Sequence, residues 1–504
     1  MWTKESLAEL IATRFRGYRL ILVSNREPYS HQYKHGHVEC LRPASGVTAA
    51  LEPVMRVSGG VWIAHGSGDA DHTVADSSGR IDVPPENPSF TLRRIFLTKE
   101  QEMGYYYGLA NRGLWPLCHV AYTRPAFVPE DWKTYREVNA IFANAVLEEA
   151  GDSPTVVFIQ DFHFALLPRM LKERNPNMIV AQFWHIPWPT PEMFRGFPWK
   201  GELLEGLLGN DLIGFHLRLD CQNFLNTVDL TLEARVDRER FDVTRNGKVT
   251  TVRPFPIGID FAEQGVIARS EECQEDERAW RREIGLDDDC MIGVGIDRID
   301  YTKGILERLG AIDRLLTKYP KYREHFVFVQ IAVPSRSRIR EYQMLEDEID
   351  SWSDEINWRW AVGSWRPIVL IKKQFPQKRL VALHRLADFC LVSSLHDGMN
   401  LVSKEFVASR TDVDGVLVLS DFAGASRELT DAVVVNPFDE EQVAEAIRAA
   451  LEMELPERRR RMQKMRAVVE EGNIYRWIGK ILSTVLKFEL PATEQVARAP
   501  QTLS

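Results

Sequence analysis

Two cations follow a β-branched run in the second half of the chain, within the segment Ile296-Asp-Arg-Ile-Asp-Tyr-Thr-Lys-Gly304. Arg298 and Lys303 would stand at a strand-to-helix junction, where a helix N-terminus also offers free N–H groups. Such a junction suits a diphosphate, whose charge must be neutralised when it departs as a leaving group. The alternative is that these cations form surface ion pairs with Asp297 and Asp300, and both interpretations stay open at this point.

A second polar segment, Leu395-His-Asp-Gly-Met-Asn-Leu-Val-Ser-Lys-Glu-Phe406, also follows an apolar run. Asp397 could accept hydrogen bonds from sugar hydroxyls, and Glu405, about two helical turns further on, could bind a ribose diol. Gly398 would let the backbone approach a ligand closely. The N–H groups that could face a sugar or a phosphate are those of Gly398, Met399, Asn400 and Leu401. The alternative, a helix start capped by Asp397, leaves the turn between two carboxylates unexplained.

Two further polar residues follow apolar runs in the first half of the chain. Asp161 lies in Gln160-Asp-Phe-His163, and His185 lies in Phe183-Trp-His-Ile-Pro-Trp-Pro-Thr-Pro191. A single histidine at a strand end is more often a hydrogen-bonded structural residue than a catalyst. The prolines that follow His185 fix a rigid loop that could hold its ring in place. We expect both side chains at a cleft.

These segments are set in an alternation of strands and helices that runs the length of the chain. The β-branched runs that predict strands are Leu20–Ser24, Val156–Gln160, Ile179–Phe183, Leu212–Phe215, Thr251–Phe255, Met291–Ile296, Phe326–Ile331, Phe389–Ser393, Val416–Ser420 and Ala432–Asn436. Amphipathic stretches such as 138–149, 305–318 and 440–452 predict the helices between them. The pattern predicts an α/β fold of two doubly wound Rossmann-like domains facing across a cleft.

The two series of strands suggest a domain organisation. We expect an N-terminal domain over residues 1–262 and a C-terminal domain over residues 263–472. An apolar stripe that includes Trp477 predicts a helix at 473–490 that crosses back to the first domain. The last residues, 491–504, carry no pattern and are expected to be a disordered tail.

Composition excludes several classes of function. The chain has 504 residues with 44% hydrophobic and 27% charged side chains, and a formal net charge of -9. That balance is typical of a globular protein and argues against a nucleic-acid partner. The six cysteines show no CxxC spacing, which favours reduced thiols in a cytoplasmic protein over a zinc site or disulfides. The first 20 residues show no uninterrupted apolar stretch of the signal-peptide type and no segment approaches about 20 apolar residues, so we expect a soluble protein without a membrane partner.

Taken together and in order, these segments resemble the trehalose-6-phosphate synthase family of retaining glycosyltransferases. The resemblance runs from about Leu20 to Lys487 and is carried by Ser24-Asn-Arg26, Tyr105-Tyr106, Leu114-Trp-Pro116, His185-Ile-Pro187, Arg298-Ile-Asp-Tyr-Thr-Lys-Gly304, Ser335-Arg336, Asp397-Gly-Met-Asn-Leu-Val402, Lys404-Glu405 and Phe422-Ala-Gly-Ala425. A series of motifs in order is far more specific than any one of them. The family has the two-domain GT-B architecture, in agreement with the fold class that the strand pattern predicts.

The resemblance implies a donor site for a nucleotide-glucose. Arg298 and Lys303 would hold the diphosphate and Glu405 the ribose, while Asp397 and His185 would hold hydroxyls of the glucose. The backbone from Gly398 through Met399 and Asn400 to Leu401 would assist, together with Gly46 in the N-terminal loop. The catalytic residues implied in this way are His185, Arg298, Lys303 and Asp397.

The resemblance also implies an acceptor site for a sugar phosphate. Arg26, Tyr106 and Arg336 would clamp the phosphate, and Trp115 and Asp161 would orient the sugar.

The chain departs from the family pattern around this acceptor site. His65 stands where the family has a tryptophan near the phosphate, and Ser45-Gly46 replaces a Gly-Gly pair. The intervening loop carries His31, His35 and His37, whose spacing permits metal binding, although an exposed mobile flap is the favoured interpretation.

The implied reaction moves glucose from a nucleotide-glucose, UDP-glucose in the favoured reading, to glucose 6-phosphate. It is expected to need no metal, no cofactor and no covalent intermediate. Two alternatives stay open. A glucosylglycerol-phosphate synthase would use glycerol 3-phosphate, and its members show a stretch like that at 26–29; a silent regulatory homologue would have no activity. The nucleotide base and the oligomeric state, including a homo-oligomer, stay open as well.

Overall fold

A computed structural model describes residues 2–42, 46–285 and 289–488 of the chain. Strands in its first half are β1 (Arg19–Arg26), β2 (Ser30–Lys34), β3 (His37–Leu41), β4 (Val61–His65), β5 (Arg80–Val83), β6 (Phe90–Ile95), β7 (Thr155–Gln160), β8 (Ile179–Phe183), β9 (Leu212–Phe215), β10 (Arg235–Asp237), β11 (Asp242–Arg245) and β12 (Lys248–Pro254). Strands in its second half are β13 (Met291–Arg298), β14 (Phe326–Val333), β15 (Ile368–Ile371), β16 (Phe389–Val392), β17 (Val416–Ser420) and β18 (Val433–Val435).

The helices alternate with these strands. They are α1 (Lys4–Arg14), α2 (Gly46–Ser58), α3 (Asp71–Val74), α4 (Lys99–Glu102), α5 (Trp115–His119), α6 (Pro129–Ala150), α7 (Leu167–Arg174), α8 (Pro191–Phe194), α9 (Lys200–Leu207), α10 (Arg218–Thr231), α11 (Phe261–Ala268), α12 (Glu271–Ile284), α13 (Ile305–Lys318), α14 (Arg340–Trp360), α15 (Gln377–Leu386), α16 (Leu401–Ser409), α17 (Glu440–Glu452), α18 (Leu455–Glu471) and α19 (Ile474–Val485). A π-helix spans Met103–Leu114, and a 3-10 turn spans Tyr301–Lys303.

The larger sheet has the order β10-β11-β12-β9-β8-β7-β1-β4-β6-β5. From β12 to β6 neighbouring strands are parallel, and antiparallel strands cover both edges. All residues of β7 are buried, as a strand covered on both faces requires. The chain passes from β1 to β4 and β6 on one side and then to β7 on the other. The strand order therefore reverses between β1 and β7.

The smaller sheet is parallel throughout, with the order β15-β14-β13-β16-β17-β18. Numbered from β13, this is the 3-2-1-4-5-6 order of dinucleotide-binding sheets. Its reversal point lies between β13 and β16. Residues Ile305, Leu309, Ile312 and Leu316 of α13 are buried at helical spacing, which is the apolar stripe expected of a helix packed on a sheet.

Helix α19 returns to the first half of the chain. Its Trp477 ring lies 6.4 Å from that of Phe158 and 5.1 Å from that of Phe183, between ring centroids. The stripe seen in the sequence is thus buried against the larger sheet. The domain boundaries at 262 and 472 stay a prediction, and the expected tail at 491–504 lies outside the described residues. In the described ranges, none of the helices combines the length and apolarity needed to cross a membrane.

Each strand that the sequence analysis placed is present, with ends displaced by a few residues at most. The strands that the sequence analysis missed are β2, β3, β4, β5, β6, β10, β11 and β15. In β6 two arginines interrupt the apolar run. The expectation of an exposed flap with three histidines is wrong for His31. Residues 30–41 form the antiparallel hairpin β2-β3, and His31 is buried because Arg94 and Asp71 hold it.

Candidate active site

The reversal points of the two sheets carry the residues that the sequence motifs indicated. In the larger sheet Arg26 ends β1 and Asp161 follows β7, the two strands between which the order reverses. In the smaller sheet Arg298 ends β13, and Asp397 comes shortly after β16. Loops diverge from such a point and leave a crevice, which is where doubly wound sheets bind ligands. His185 joins this edge from the end of β8.

The two halves of the chain touch at this edge. A Cβ atom on Gly398 would lie 2.5 Å from the carbonyl oxygen of His185 and 3.1 Å from the ring of His216. His396 Nδ1 lies 2.5 Å from the carbonyl oxygen of His119. The close approach that Gly398 permits is therefore to the backbone of the first half, where the sequence had suggested a ligand. Packing between the halves is what requires glycine here.

Lys303 and Asp397 form an ion pair at the reversal point of the smaller sheet. Lys303 Nζ lies 2.5 Å from Asp397 Oδ2, and Asn400 donates a second hydrogen bond to that oxygen at 3.2 Å. Burial by itself would raise the pKa of the Asp397 carboxyl, but the charge and hydrogen bond of Lys303 bring it down to about 2. Asp397 does not cap the next helix, because Asn400 does so by accepting the Ser403 N–H at 3.1 Å.

Three arginines from both halves gather around Trp115 and Tyr106. The guanidinium carbons of Arg336 and Arg298 lie 4.0 Å and 5.8 Å from the centroid of the Trp115 ring. Burial raises the pKa of the Tyr106 hydroxyl, but the charges of Arg336, Arg26 and Arg298 outweigh it and leave the pKa lowered. The net effect on Tyr106 reports a strongly positive region. Such a region is suited to phosphate groups.

Arg298 and Lys303 do not form the surface ion pairs with neighbouring carboxylates that the sequence left open. Arg336 Nη1 lies 2.6 Å from Asp300 Oδ2 and donates to the Tyr342 hydroxyl at 2.6 Å. Asp297 instead pairs with the buried Arg308 at 2.9 Å. Within the described ranges, Arg298 is left without an ion-paired carboxylate. The alternative in which Arg298 and Lys303 pair with Asp297 and Asp300 is therefore wrong, because those carboxylates pair with Arg308 and Arg336.

Asp161 has an unusual backbone that aims its side chain at neighbouring N–H groups. Its φ of 72° is in the left-handed region, which is rare for a residue other than glycine and recurs at functional sites. Oδ1 accepts the N–H of Phe162 at 2.9 Å and that of His185 at 3.1 Å. Burial raises the pKa of the Asp161 carboxyl to about 6, and those hydrogen bonds restrain the rise. Asp161 is thus ionised near neutral pH.

His185 is neutral, because burial and the nearby His216 and His163 hold its pKa well below the usual range. Its Nε2 lies 3.0 Å from Gln160 Oε1. Because the amide oxygen can only accept, Nε2 carries the proton and Nδ1 keeps a lone pair. His185 can therefore accept a hydroxyl hydrogen bond at Nδ1.

A β-bulge sets the direction of Arg26. The pairing of β1 with β4 shifts from Ser24↔Ala64 to Arg26↔His65, so Asn25 is the extra residue. Tyr105, on the π-helix, donates its hydroxyl to Asn25 Oδ1 at 3.1 Å. Bulges of this kind redirect a side chain. The same register places His65 beside Arg26, and His65 Nδ1 lies 3.1 Å from the carbonyl oxygen of Ile95.

Glu405 lies one helical turn into α16, at the reversal point of the smaller sheet. Its carboxylate has no ion pair in the part of the chain that the structure describes, and burial alone raises its pKa to about 7. A buried carboxylate without a partner is costly and needs hydroxyl or N–H donors. Of the backbone residues expected to assist a donor, Met399 is buried and Leu401 begins α16. Gly46 begins α2, and Ser45 lies outside the described residues.

The cleft also holds polar side chains to which the sequence analysis gave no role. Within the described residues, Gln160 Nε2, His163 Nδ1 and His216 Nδ1 are buried without a hydrogen-bond partner, as is Nε1 of Trp115, a residue that the sequence analysis did assign. His216 directly follows β9, so the strand-end rule applied to that strand would have found it. Across the described ranges, no group of three or more His, Cys, Asp or Glu side chains is arranged to hold a metal ion.

Two doubly wound Rossmann-like domains that face each other across a cleft define the GT-B class of glycosyltransferases, and the protein has this architecture. The model of glycosyltransferase family 20 matches residues 18–487. The chain belongs to this family.

Named relatives and solved structures agree with this assignment. The chain is 37% identical over 484 residues to the trehalose-6-phosphate synthase of Mycolicibacterium vanbaalenii, covering 94% of this chain and 97% of that one. It is 38% identical over 475 residues to that of Mycolicibacterium smegmatis, covering 92% of each. The E. coli trehalose-6-phosphate structure bound with UDP-2-fluoro glucose superposes with a TM-score of 0.83 at 31% identity, covering 93% and 99%. The Burkholderia xenovorans alpha,alpha-trehalose-phosphate synthase (UDP-forming) in complex with glucose-6-phosphate gives 0.83 at 30% identity, with the same coverage.

Proposed function

We propose that the protein is a retaining glucosyltransferase that moves glucose from UDP-glucose to glucose 6-phosphate and forms trehalose 6-phosphate. The observation that carries the proposal is the meeting of cations from both halves, Arg26, Arg298 and Arg336, around Tyr106 and Trp115 at the facing reversal points. A reaction between two phosphate-bearing substrates brings their negative charges together, and a shared positive region offsets that repulsion. Relatives that bind a UDP-glucose analogue and glucose 6-phosphate support the choice of substrates.

The donor lies against the smaller sheet in this proposal. Arg298 and Lys303 neutralise the diphosphate, and Glu405 accepts hydrogen bonds from the ribose hydroxyls. Asp397 and His185 hold hydroxyls of the glucose, assisted by the backbone at residues 398–401 and by Gly46. The pairing of Lys303 with Asp397 supports this arrangement, because one side chain can then meet the phosphate while the other meets the sugar.

The acceptor lies against the larger sheet. Arg26 and Arg336 grip its phosphate together with Tyr106, and arginine suits this task because its planar fork meets phosphate oxygens at two points. Asp161, ionised near neutral pH, accepts hydrogen bonds from the sugar ring, over which Trp115 packs. His65 lies beside Arg26 and reaches the same phosphate.

The chemical step follows from this placement. The bond between the anomeric carbon and the diphosphate oxygen breaks while the acceptor hydroxyl bonds to that carbon on the same face. The hydroxyl proton passes to the departing diphosphate, so charge and atoms balance and configuration is retained. Arg298 and Lys303 stabilise the charge that develops on the leaving group, which is the largest contribution expected of such residues. Closure of the two halves excludes water and limits hydrolysis of the donor.

A direct test is to incubate the purified protein with UDP-, ADP- and GDP-glucose, each with glucose 6-phosphate or glycerol 3-phosphate. Mass spectrometry of the products and the release of nucleotide give the result. We expect trehalose 6-phosphate from UDP-glucose and glucose 6-phosphate. A preference for glycerol 3-phosphate would contradict the acceptor, and no nucleotide release with any pair would contradict the enzyme assignment.

Asp161→Asn sharpens the choice of acceptor. Because a glucose ring needs its hydroxyls held, the variant should lose kcat/KM for glucose 6-phosphate by about 100-fold, the scale of a charged hydrogen bond to substrate. Glycerol 3-phosphate offers fewer hydroxyls and should lose less. Asp220→Asn is the matched control, since Asp220 is also buried and accepts two backbone N–H groups, of Trp188 at 3.0 Å and Leu217 at 3.3 Å. Equal losses in the two variants would contradict the role of Asp161.

A further inference from the structure

A cluster of charged side chains lies buried behind the acceptor side of the cleft, outside the residues assigned so far. Arg94, on β6, has no exposed side-chain surface, and neither has Asp71, while Glu27 is 1% exposed. Arg94 Nε lies 2.7 Å from Glu27 Oε2, and its Nη2 lies 3.1 Å from Asp71 Oδ1. The same Nη2 meets His31 Nδ1 at 2.7 Å. We call Glu27, His31, Asp71 and Arg94 the Arg94 cluster.

The Arg94 cluster ties three segments of backbone together. Arg94 donates to the carbonyl oxygen of Tyr29 at 2.9 Å, and Asp71 accepts the N–H of His31 at 2.8 Å, which fixes the start of the hairpin. Asp71 also accepts the N–H of Gly68 at 2.7 Å, and Glu27 accepts that of Ser67 at 3.1 Å, which fixes the loop after β4. Because all of these bonds except that of Gly68 join segments at least 40 residues apart in the chain, the cluster holds the chain in one position at this edge of the sheet.

Arg26 is covalently next to this cluster. It is exposed to the cleft, whereas residues 27–31 directly after it are buried. On its other side the bulge at Asn25 is fixed by Tyr105. The peptide of Arg26 is therefore held at both ends, by the bulge and by Glu27. A side chain that grips a phosphate must be held this way, because displacement of about 1 Å can cost a factor of about 100 in rate.

From this geometry we infer that Arg94 is a positioning residue for the acceptor phosphate, which acts by holding Glu27 and so Arg26 in place. The inference rests on the role of Arg26 in the proposed function. It predicts that loss of Arg94 weakens use of the phosphorylated acceptor and leaves the donor side unaffected, because the bonds of the Arg94 cluster to described residues all stay within residues 27–94.

The test compares Arg94→Met and Arg94→Lys with wild type. We expect Arg94→Met to raise the KM for glucose 6-phosphate by about tenfold or more, with Kd for UDP within about twofold of wild type, and Arg94→Lys to recover part of the loss. Arg93→Met is the matched control. Arg93 is the neighbour on β6, is also nearly buried, and pairs with Glu149 at 3.1 Å on the other face of the sheet. It should lose stability without changing either KM.

The outcomes separate the inference from the proposed function. If wild type does not use glucose 6-phosphate, the proposed function fails. If wild type uses it but a folded Arg94→Met keeps the wild-type acceptor KM, or loses donor and acceptor binding equally, the positioning role is refuted while the function stands.

If Arg94→Met fails to fold, Glu27→Gln provides a second test. Glutamine has nearly the same size and shape as glutamate, so this variant should fold. The charged groups that act on Glu27 are Asp71 from α3 and Arg94 from β6, and His31 from β2 lies against both of them. Burial and the hydrogen bond and charge of Asp71 raise the pKa of Glu27 to about 7 against the opposing charge of Arg94, and burial keeps His31 neutral.

Loss of the Glu27 proton therefore leaves two carboxylates against one arginine. We expect the acceptor KM of wild type to rise between about pH 6 and about pH 8 relative to that of Glu27→Gln. Ionisation of the acceptor phosphate is common to both proteins and cancels in the ratio. Parallel pH profiles would overturn the inference.

Discussion

Replacing Lys303 by methionine should separate the two tasks of the Lys303–Asp397 pair. The side chains are 14% and 15% exposed, and the charged atoms lie 2.5 Å apart. Lys303→Met keeps the apolar stem and removes the charge, which leaves the Asp397 carboxylate with the amide of Asn400 at 3.2 Å and the hydroxyl of Ser394 at 3.4 Å. The perturbation is therefore mainly electrostatic.

The expected loss of stability can be worked out from the carboxylate. The pKa of Asp397 is depressed from 3.8 to about 2 in the folded protein. A depressed pKa stabilises the fold at pH values above the ordinary one, and that contribution disappears as the pH falls towards the folded value. At neutral pH it is fully present and amounts to about 2 kcal/mol. Removing a partner from a fully buried pair costs about 3–5 kcal/mol, so with some exposure and the remaining amide we expect about 2–3 kcal/mol.

Turnover should fall for a different reason. Lys303 also faces the departing diphosphate, and loss of one positioned charge stabiliser costs about 100-fold or more in kcat. The assay is nucleotide release under saturating substrates, together with urea unfolding of the same samples. Lys378→Met is the control, because Lys378 pairs with Glu272 on the exposed surface and should change neither quantity.

The double variant Lys303→Met/Asp397→Asn decides between the two effects. Removing both charges should restore most of the stability but none of the rate, since the buried unpaired carboxylate is gone while the diphosphate still lacks its cation. If Lys303→Met keeps more than about a tenth of wild-type turnover, the diphosphate is neutralised elsewhere. If the double variant is no more stable than the single one, the unpaired carboxylate is not the cause of the instability.

Three further outcomes are expected. Because burial raises the pKa of Glu405 to about 7 and ribose hydroxyls bind its ionised form, the donor KM should rise by up to about tenfold per pH unit as the pH falls below about 7. Glu405→Gln should flatten that profile, and a wild-type profile that is already flat would contradict the ribose role. Arg336→Ala should raise the acceptor KM by at least about tenfold with little change in Kd for UDP, since it removes a two-point phosphate contact. Equal weakening of both would refute the clamp. Activity should survive exhaustive chelation with EDTA, because Arg298 and Lys303 supply the positive charge; complete loss that magnesium or manganese restores would show that they do not suffice.

The sequence by itself determined the strands that carry the site. Runs such as Val156–Gln160 and Val416–Ser420 are apolar up to their last residue because both faces of a parallel sheet are covered, and such a pattern is visible in the segment alone. The polar residues just after those strands, Asp161, His185 and Asp397, could also be selected, because the carboxyl ends of parallel strands share one edge. The resemblance to a family then supplied roles that spacing does not give.

Only the tertiary structure decided which charges meet. From the sequence, pairing of Arg298 and Lys303 with Asp297 and Asp300 was one of two open alternatives, since these residues are close along the chain. In the fold Lys303 reaches Asp397, and Asp300 instead takes Arg336, which comes from another loop of the same half.

The Arg94 cluster was invisible in the sequence for the same reason. Its bonds join segments that the fold brings together although they lie far apart in the chain, as do Arg94 and Tyr29, which are 65 residues apart. The hydrophobic pattern of a segment shows which of its faces are buried, because burial favours apolar residues whatever segment packs against them. A specific ion pair depends on where two distant segments cross, and that is fixed only when the strand order of the sheets brings them together.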